Sequence, residues 1–364
     1  MLRLTEYIRD SVQDRAIVQT SAVICIWNLT SVCNLSCRHC YASAGSVATH
    51  ETRLSDVESA LPEMRAAGVR VAILSGGEPL LRPDILDIAR AVRAAGISTA
   101  LSTNGLLIDR ANIGTIQQCF DYIGISIDGS PDIHDSFRGM AGAYEKSLGA
   151  IRTCMEHGVE VGLRFTLSAL THESLPFIFD LVRAEGIPKL YISHLVTSGR
   201  AETVPSLDAA TYARAERFII EKAFEFYENN VPVKIVTGNN DSEAVMLLSL
   251  FKERYPLRYD NLYERLRAWG GNQAGVKLVN ITSAGEVKPD PFFQYSMGNI
   301  GQGESFSRIW SSNGLLSALR ERPRALKGRC KACHYLDICN GNSRARAYAA
   351  TGDYFSEDPL CTTC

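Results

Sequence analysis

The chain has 364 residues, of which 46% are hydrophobic and 21% are charged, and its formal net charge is -2. This composition predicts a globular protein with room for one large domain and a smaller one. The near-neutral charge argues against a nucleic-acid partner, and no apolar segment is long enough to span a membrane. The N-terminal region lacks the apolar core of a secretory signal, so we expect a cytoplasmic protein.

Residues 22–198 alternate β-rich runs with helical patterns. The predicted strands are Ile24–Leu29, Val69–Leu74, Ser98–Thr103, Tyr122–Ile127, Val159–Leu167 and Leu190–Val196. A helix is predicted to open at Ser55 with Glu58 in a capping box, and others cover about 83–95, 109–119, 143–157 and 174–185. Apolar strands alternating with helices predict an α/β fold, a parallel sheet closing into a partial (β/α)6 TIM-like barrel.

The rest of the chain divides around this predicted barrel. Residues 1–21 are predicted as a helical lead-in to a barrel over 22–200. Residues 201–275 are predicted to be a mostly helical connecting region, with a polar break at 238–241. Residues 276–364 are predicted to form a cysteine-rich α+β extension with a hairpin, Val276–Ile281 and Glu286–Lys288, and a helix near 306–320.

Polar and glycine-rich segments follow four of the predicted strands. Cys33 follows the first strand, residues 76–79 the second, residues 103–105 the third, and Asp128 the fourth. In barrel enzymes the loops after the strands converge on one mouth, where catalysis takes place. We therefore expect these four segments to share one opening.

The eleven cysteines are concentrated in two clusters, three at 33–40 and five at 330–364. Without an export signal, disulfides are not expected, and such clusters are typical of metal ligands. Cys25, Cys119 and Cys154 lie outside the clusters and are predicted to be small buried apolar residues. Cys33, Cys37 and Cys40 offer three thiolates and no fourth, which favours a metal centre with a position open for chemistry.

The spacing of Cys33, Cys37 and Cys40, with the aromatic Tyr41 after it, resembles the signature of the radical S-adenosylmethionine (SAM) superfamily. The resemblance implies that the three cysteines hold three irons of a [4Fe-4S] cluster and that SAM chelates the fourth. It also implies that an electron from the cluster releases a 5′-deoxyadenosyl radical from SAM. The residues alone leave two alternatives, a zinc knot with a distant fourth ligand and a chance grouping.

A second motif, Gly76-Gly77-Glu78-Pro79, resembles the superfamily's segment that binds the amino group of SAM. Its glycines allow close backbone approach, and Glu78 offers a carboxylate to an ammonium group. The resemblance further implies contacts to SAM from Ser102, Asn104, Ser126 and Asp128, for which turn chemistry is the alternative. Arg164 lies within the fifth strand, where the alternatives are a pair with the SAM carboxylate and a structural ion pair.

The C-terminal cysteines have enough thiols to close a site of their own. Cys330, Cys333, Cys339 and Cys361 suit a four-ligand centre, with Cys364 competing for the fourth position but placed at the terminal residue. Zinc and iron both fit four thiolates. The resemblance to SPASM and twitch extensions of the superfamily favours a second, auxiliary [4Fe-4S] cluster. The hairpin residue Asp290 has no spare cysteines around it, so we expect one auxiliary cluster rather than two.

Segments outside the cysteine motifs resemble radical SAM enzymes of heme d1 biosynthesis and their heme-pathway relatives. These segments are 191–200, 236–241, 269–272, 287–290 and 335–342. The resemblance implies a siroheme-derived tetrapyrrole substrate, 12,18-didecarboxysiroheme, from which propionate side chains are removed on the way to the oxo groups of heme d1. It also implies a low-potential electron donor such as ferredoxin or flavodoxin.

A tetrapyrrole with several carboxylates requires cationic partners. Arg138, His194 and Arg200 follow the fourth and sixth strands and are candidate substrate contacts, with solvated loop charges as the alternative. Rival functions are a didecarboxysiroheme deacetylase, a coproheme decarboxylase, a SPASM peptide maturase and a metal-binding scaffold. The auxiliary cluster could relay an electron or bind substrate, and the sequence leaves both open.

Overall fold

The structure is a computed structural model that describes residues 1–18, 21–48 and 50–363. The strands are β1 (Leu2–Arg3), β2 (Val23–Asn28), β3 (Val69–Ser75), β4 (Ser98–Thr103), β5 (Tyr122–Ser126), β6 (Val161–Leu167), β7 (Lys189–His194), β8 (Lys234–Gly238), β9 (Leu278–Ile281), β10 (Glu286–Lys288) and β11 (Gly298–Asn299). The helices are α1 (Leu4–Val12), α2 (Leu54–Ala66), α3 (Ile85–Ala94), α4 (Ile113–Cys119), α5 (Pro131–Arg138), α6 (Ala143–Glu156), α7 (Leu175–Glu185), α8 (Ala209–Glu228), α9 (Glu243–Arg254), α10 (Tyr259–Trp269), α11 (Phe306–Ser312), α12 (Gly314–Arg320), α13 (Leu336–Cys339) and α14 (Arg344–Thr351).

The strands form one sheet in the order β1-β8-β7-β6-β5-β4-β3-β2-β9-β10-β11. Neighbours from β2 to β8 run parallel, and β9 joins the other side of β2 in parallel. The edge strands β1, β10 and β11 pair antiparallel. The α/β partial barrel predicted from the sequence is confirmed, and the sheet continues across the boundaries predicted at residues 21, 200 and 275.

All six predicted barrel strands are present, and the predicted hairpin forms from β9 and β10. The structure adds β8, a parallel strand in the region predicted as mostly helical. Two helical predictions change. The helix near 306–320 is two helices, and α2 begins at Leu54, where the Arg53 N–H donates to Asp56 Oδ2 at 2.9 Å rather than using Glu58.

The two faces of the sheet differ in character. The face toward the helices is apolar and buried, as at Trp27 and Phe165, and it packs against apolar helix residues such as Phe179 of α7. The three scattered cysteines, Cys25 on β2, Cys119 on α4 and Cys154 on α6, are buried in this core as predicted. The opposite face is small or polar, with Asn28 opposite Ser75 and Ser126 opposite Arg164. This polar face lines the interior of the partial barrel.

Three glycines on the interior face make room for larger neighbours. A Cβ at Gly124 would lie 2.7 Å from Arg164 Cδ. A Cβ at Gly162 or Gly238 would overlap the hydroxyl of Tyr122 or Tyr191, respectively. The large side chains therefore cross over the glycines of the adjacent strands. Within the described part of the chain, no helix combines the length and apolar character needed to cross a bilayer.

Candidate active site

The loop that carries Cys33, Cys37 and Cys40 follows β2 and is fixed by backbone hydrogen bonds. The Cys33 N–H donates to Gly45 O at 2.7 Å. The Gly77 and Glu78 N–H groups donate to Thr30 O and Val32 O, each at 2.8 Å. A Cβ at Gly77 would overlap the Val32 carbonyl, so glycine is required there for two backbone segments to meet.

Glu78 connects two segments of the chain through its buried carboxylate. Its side chain is fully buried, and its carboxylate accepts hydrogen bonds from Thr103 Oγ1 at 2.7 Å, Leu80 N at 3.1 Å and Asn104 N at 2.8 Å. Burial raises the pKa of this carboxyl despite these donors. Glu78 therefore ties the end of β4 to the turn after β3, and its contact to the ammonium group of SAM stays a prediction.

Asn104 and Asp128 are also used within the chain. Asn104 Nδ2 donates to Asn34 Oδ1 at 2.7 Å, which connects the loop after β4 to the cysteine loop. Asp128 is fully buried and accepts from Thr166 N at 2.8 Å and from Arg138 Nε at 2.6 Å. Although burial opposes it, the Arg138 guanidinium lowers the pKa of Asp128. Both side chains thus hold neighbouring segments in place, and their contacts to SAM stay predictions.

Ser102, Ser126 and Arg164 remain directed into the interior. Ser102 lies opposite Gly124, and Ser126 lies opposite Arg164 in the strand register. The Arg164 guanidinium lies 5.0 Å from the centre of the Tyr191 ring. Among the described residues no carboxylate is within ion-pair distance of Arg164, so the structural ion pair considered from the sequence is absent there. The barrel interior thus holds a cation available to an anionic ligand.

Helix α5, which the sequence analysis did not predict, packs against the cysteine loop. Ser36 N donates to Arg138 O at 3.3 Å, and the His39 ring stacks on Phe137 at 4.4 Å. Arg138 Nη1 lies 3.7 Å from Cys37 Sγ while the same guanidinium pairs with Asp128. The prediction of Arg138 as a substrate contact is therefore corrected, because its side chain is buried between Asp128 and the thiol.

Arg200 also binds the cysteine loop rather than the mouth. Its Nε donates to Cys37 O at 2.8 Å, its Nη1 to Ala44 O at 2.6 Å, and its backbone N–H to Cys40 O at 3.0 Å. The loop carbonyls need donors, and one arginine fork satisfies two of them. In this structure Arg200 is therefore a residue that holds the cysteine loop, and its contact to substrate stays a prediction.

His194 lies on the helix side of the sheet, fully buried, with Nε2 2.7 Å from Glu243 Oε1 and its ring edge-on to Tyr212. It cannot contact a ligand in the interior, so this substrate prediction is wrong. The alternation of side chains along the strand could have predicted this orientation, because the adjacent Ser193 lies on the interior face. Tyr41 is at the interior, where its hydroxyl donates to Asn28 Oδ1 at 2.9 Å and burial raises its pKa to about 12.

The thiol environment fits a metal cluster. Cys33 Sγ accepts from Leu35 N at 3.4 Å, and Cys37 Sγ accepts from Arg138. Burial raises the pKa of Cys33 to about 11 and also raises that of Cys37, although Arg138 opposes it. Hydrogen bonds to sulfur are typical of cluster ligands, and metal binding would displace the thiol protons.

The C-terminal cysteines gather at a separate recess, which Cys330, Cys333, Cys339 and Cys361 line together. Cys333 is in a disulfide bond, which differs from the expectation of reduced thiols. Cys364, the competing ligand, lies outside the described residues. Within those residues, no three His, Cys, Asp or Glu side chains converge as ligands of a single metal ion. Two nitrogens of the nearby buried Arg344 have no acceptor in the described chain, which suits an anionic group.

Comparisons with known proteins agree with this site. Residues 27–182 match the sequence model of the Radical SAM superfamily. The chain is 41% identical to a pre-heme d1 synthase from Dinoroseobacter shibae, over 99% of this chain and 92% of that protein. The chain belongs to the radical SAM superfamily. This radical SAM protein is also 35% identical to an Fe-coproporphyrin III synthase from Methanosarcina barkeri, over 93% of this chain and 87% of that protein.

Solved structures share the fold at low identity. The chain matches anSMEcpe with bound AdoMet at a TM-score of 0.72 and 18% identity, covering 94% of this chain and 91% of that one. It matches SuiB from Streptococcus suis bound to S-adenosylmethionine at a TM-score of 0.70 and 17% identity, covering 94% and 77%. These likenesses support the radical SAM barrel with a C-terminal extension. Membership of the superfamily implies a [4Fe-4S] cluster and SAM as cofactors.

Proposed function

We propose that this chain is a radical SAM enzyme of heme d1 biosynthesis that removes propionate side chains from 12,18-didecarboxysiroheme. The observation that carries the proposal is the similarity to a pre-heme d1 synthase, 41% identity along 99% of the chain. The 35% identity to an Fe-coproporphyrin III synthase supports a second candidate, a different reaction on a related tetrapyrrole.

In this proposal Cys33, Cys37 and Cys40 hold the cluster that binds SAM. When bound, the cluster and SAM supply a carbon-centred radical able to abstract hydrogen from substrate. The chain's own residues orient the cofactors. Arg200 and Arg138 hold the cysteine loop by its carbonyls and by Cys37 Sγ, while the turn at Gly77 fixes its other side.

The interior cation Arg164 binds the carboxylate of SAM in this account. Its guanidinium lies over the Tyr191 ring with no carboxylate partner in the described chain, and a half-buried cation gains most from a charged hydrogen-bond acceptor. Ser102 and Ser126 lie on the same interior face and offer hydroxyls to the rest of SAM. The small residues between them leave space above for the flat tetrapyrrole.

The C-terminal recess holds the auxiliary [4Fe-4S] cluster through Cys330, Cys333, Cys339 and Cys361. A thiol in a disulfide cannot ligate iron, so the bond at Cys333 must be reduced before the cluster assembles. Four cysteine ligands leave no vacant iron, which favours electron relay over substrate binding. A ferredoxin or flavodoxin would supply the low-potential electrons.

The test is an anaerobic assay of the reduced, iron-reconstituted chain. SAM with dithionite should yield 5′-deoxyadenosine. If the protein with its full iron content does not cleave SAM, the proposed radical chemistry is wrong. Parallel reactions contain didecarboxysiroheme, Fe-coproporphyrin III or a peptide library. Loss of propionate mass from didecarboxysiroheme alone supports heme d1 biosynthesis. Turnover of Fe-coproporphyrin III alone supports the second candidate, and turnover of peptide alone overturns both.

A further inference from the structure

Arg344, the first residue of α14, is fully buried but only half satisfied. Its Nη1 donates to Tyr354 O at 3.0 Å and to Ser356 O at 2.6 Å. Its Nε and Nη2 are buried without an acceptor in the described chain. No carboxylate among the described residues lies within ion-pair distance of it. An arginine keeps its proton, so this site holds an uncompensated charge.

The unpaired edge of Arg344 lies beside the cysteine recess. A Cβ built on Gly341, which lines the recess, would lie 2.8 Å from both Cζ and Nη2 of Arg344. Burial lowers the pKa of Arg344, while Asp358 and the thiolate forms of Cys330 and Cys339 act in the opposite direction. Two cysteines of the recess, Cys330 and Cys339, are thus among the groups whose negative charge acts on Arg344, after Asp358.

A neighbouring buried arginine, Arg346, has its charge paired with a carboxylate. Arg346 is equally buried but pairs with Asp358, Nη2 to Oδ2 at 2.8 Å and Nε to Oδ1 at 3.2 Å. Among the described residues, the chain therefore supplies a carboxylate for Arg346 and none for Arg344. A buried charge without a partner is costly, and a bound anion removes that cost.

We propose that Arg344 is the counter-cation of an anionic cluster in the C-terminal recess, to whose sulfurs its Nε and Nη2 donate. The inference rests on the auxiliary cluster of the proposed function. A four-cysteine cluster gains one negative charge on reduction, so a fixed cation beside it stabilises the reduced form more than the oxidised form. Arg344 is thus a positioning residue that raises the reduction potential of this cluster.

The experiment isolates the auxiliary cluster in the full chain carrying Cys37→Ala and measures its reduction by EPR-monitored redox titration. Adding Arg344→Met should lower the equilibrium constant for reduction at least tenfold, about 59 mV for one electron. Adding Arg344→Lys should shift it less, because the charge is kept. Arg320→Met is the matched control, since Arg320 stacks on Trp310 away from the recess, and it should leave the potential unchanged.

The possible outcomes separate a failure of the role proposed for Arg344 from a failure of the proposed auxiliary cluster. A fully loaded Arg344→Met protein with an unchanged potential overturns the role of Arg344 and leaves the cluster in place. A Cys37→Ala parent that takes up no iron, or takes up zinc, overturns the auxiliary cluster and the inference with it. The Arg344 variants could fail to take up the cluster. In that case the Cys37→Ala protein is grown with ¹⁵N-arginine, and pulsed EPR should detect coupling between ¹⁵N and the auxiliary cluster. Absence of that coupling overturns the inference.

Discussion

The two cysteine sites differ in how the chain surrounds them. The N-terminal triad lies on a loop held by Gly77, Arg138 and Arg200, and the interior face of the barrel carries Arg164, which has no carboxylate partner in the described part of the chain. The C-terminal set brings four cysteines to one recess beside the half-satisfied Arg344. The first site offers three thiols on a loop held by many hydrogen bonds, and the second offers four cysteines, of which Cys333 is in a disulfide bond. We interpret the first as the place of radical chemistry and the second as its electron relay.

The largest expected effect comes from removing a triad ligand. Cys37→Ala should abolish SAM cleavage, down to the rate without protein, because one iron loses its ligand and Arg138 loses the sulfur it contacts. Iron content and 5′-deoxyadenosine, measured anaerobically, report the result. Cys25→Ala is the control, since Cys25 is a fully buried residue of the apolar core, and it should keep both. Cleavage by the Cys37 variant at the wild-type rate would contradict the assignment.

Removing a recess ligand should have a different result. Cys333→Ala should lose about half of the iron while keeping SAM cleavage at least in part, because the triad is intact. Turnover of the tetrapyrrole should fail if the second cluster relays its electron. The matched control is Cys154→Ala, which removes a buried thiol far from either cluster in sequence. Zinc in the recess of the wild-type protein would contradict an auxiliary iron cluster there. Complete loss of SAM cleavage in the variant would contradict the independence of the two sites.

Arg164→Met tests the interior cation of the first site. We expect the affinity for SAM to fall roughly 10- to 100-fold, the loss associated with a hydrogen bond to a charged group. Anaerobic equilibrium dialysis with labelled SAM measures it. Lys189→Met, which removes another interior cation stacked over Tyr122 at 4.0 Å, is the control and should change the affinity little. Unchanged SAM affinity with weaker tetrapyrrole binding would reassign Arg164 to the substrate.

A smaller effect concerns how the tail beside Cys361 is anchored. Glu216 on α8 accepts from Thr362 Oγ1 at 2.9 Å, and burial, with Glu243 adding to it, raises its pKa from 4.5 to about 7. A raised carboxyl pKa stabilises the fold fully below the unfolded value, and that contribution is lost as the pH rises through about 7. The contribution is at most about 3 kcal/mol.

Urea unfolding of the metal-free chain at several pH values measures this contribution. The wild type should lose stability relative to Glu216→Gln between pH 4.5 and about 7, because the glutamine has no proton to lose. Glu221→Gln, on the exposed side of the same helix, should follow the wild type. Parallel pH profiles of wild type and Glu216→Gln would show that Glu216 titrates normally.

The strands and both cysteine sites were predictable because their signals are local. Continuous apolar runs marked six strands, and cysteine spacing marked the two clusters, whose role as metal ligands stays a prediction. The directions of single side chains were not predictable to the same degree. Arg138 and Arg200 turn back onto the cysteine loop, because buried thiols and carbonyls there need donors, and that need appears only once the loop is folded.

The orientation of His194 and the strand β8 were not predicted, although the sequence contains a pattern that indicates each. His194 alternates with Ser193 along β7, so only one of them can face the interior, and the polar Ser193 does. Strand β8 overlaps a short run rich in β-branched residues at 231–236, which predicts a strand. The long helices on either side dominated the pattern of this region. The hydrogen bonds of Glu78 to Thr103 and of Asp128 to Thr166 had no local signal, since these partners lie 25 and 38 residues away in the sequence.

EPR of the two reduced cysteine variants, with and without SAM, tests the central claim most directly. Cys333→Ala retains the triad cluster, and adding SAM should change its spectrum, because SAM occupies the open iron. Cys37→Ala retains the recess cluster, and its spectrum should be the same with SAM as without. A SAM-dependent change in the Cys37 variant, or none in the Cys333 variant, would contradict the division into an open and a closed site.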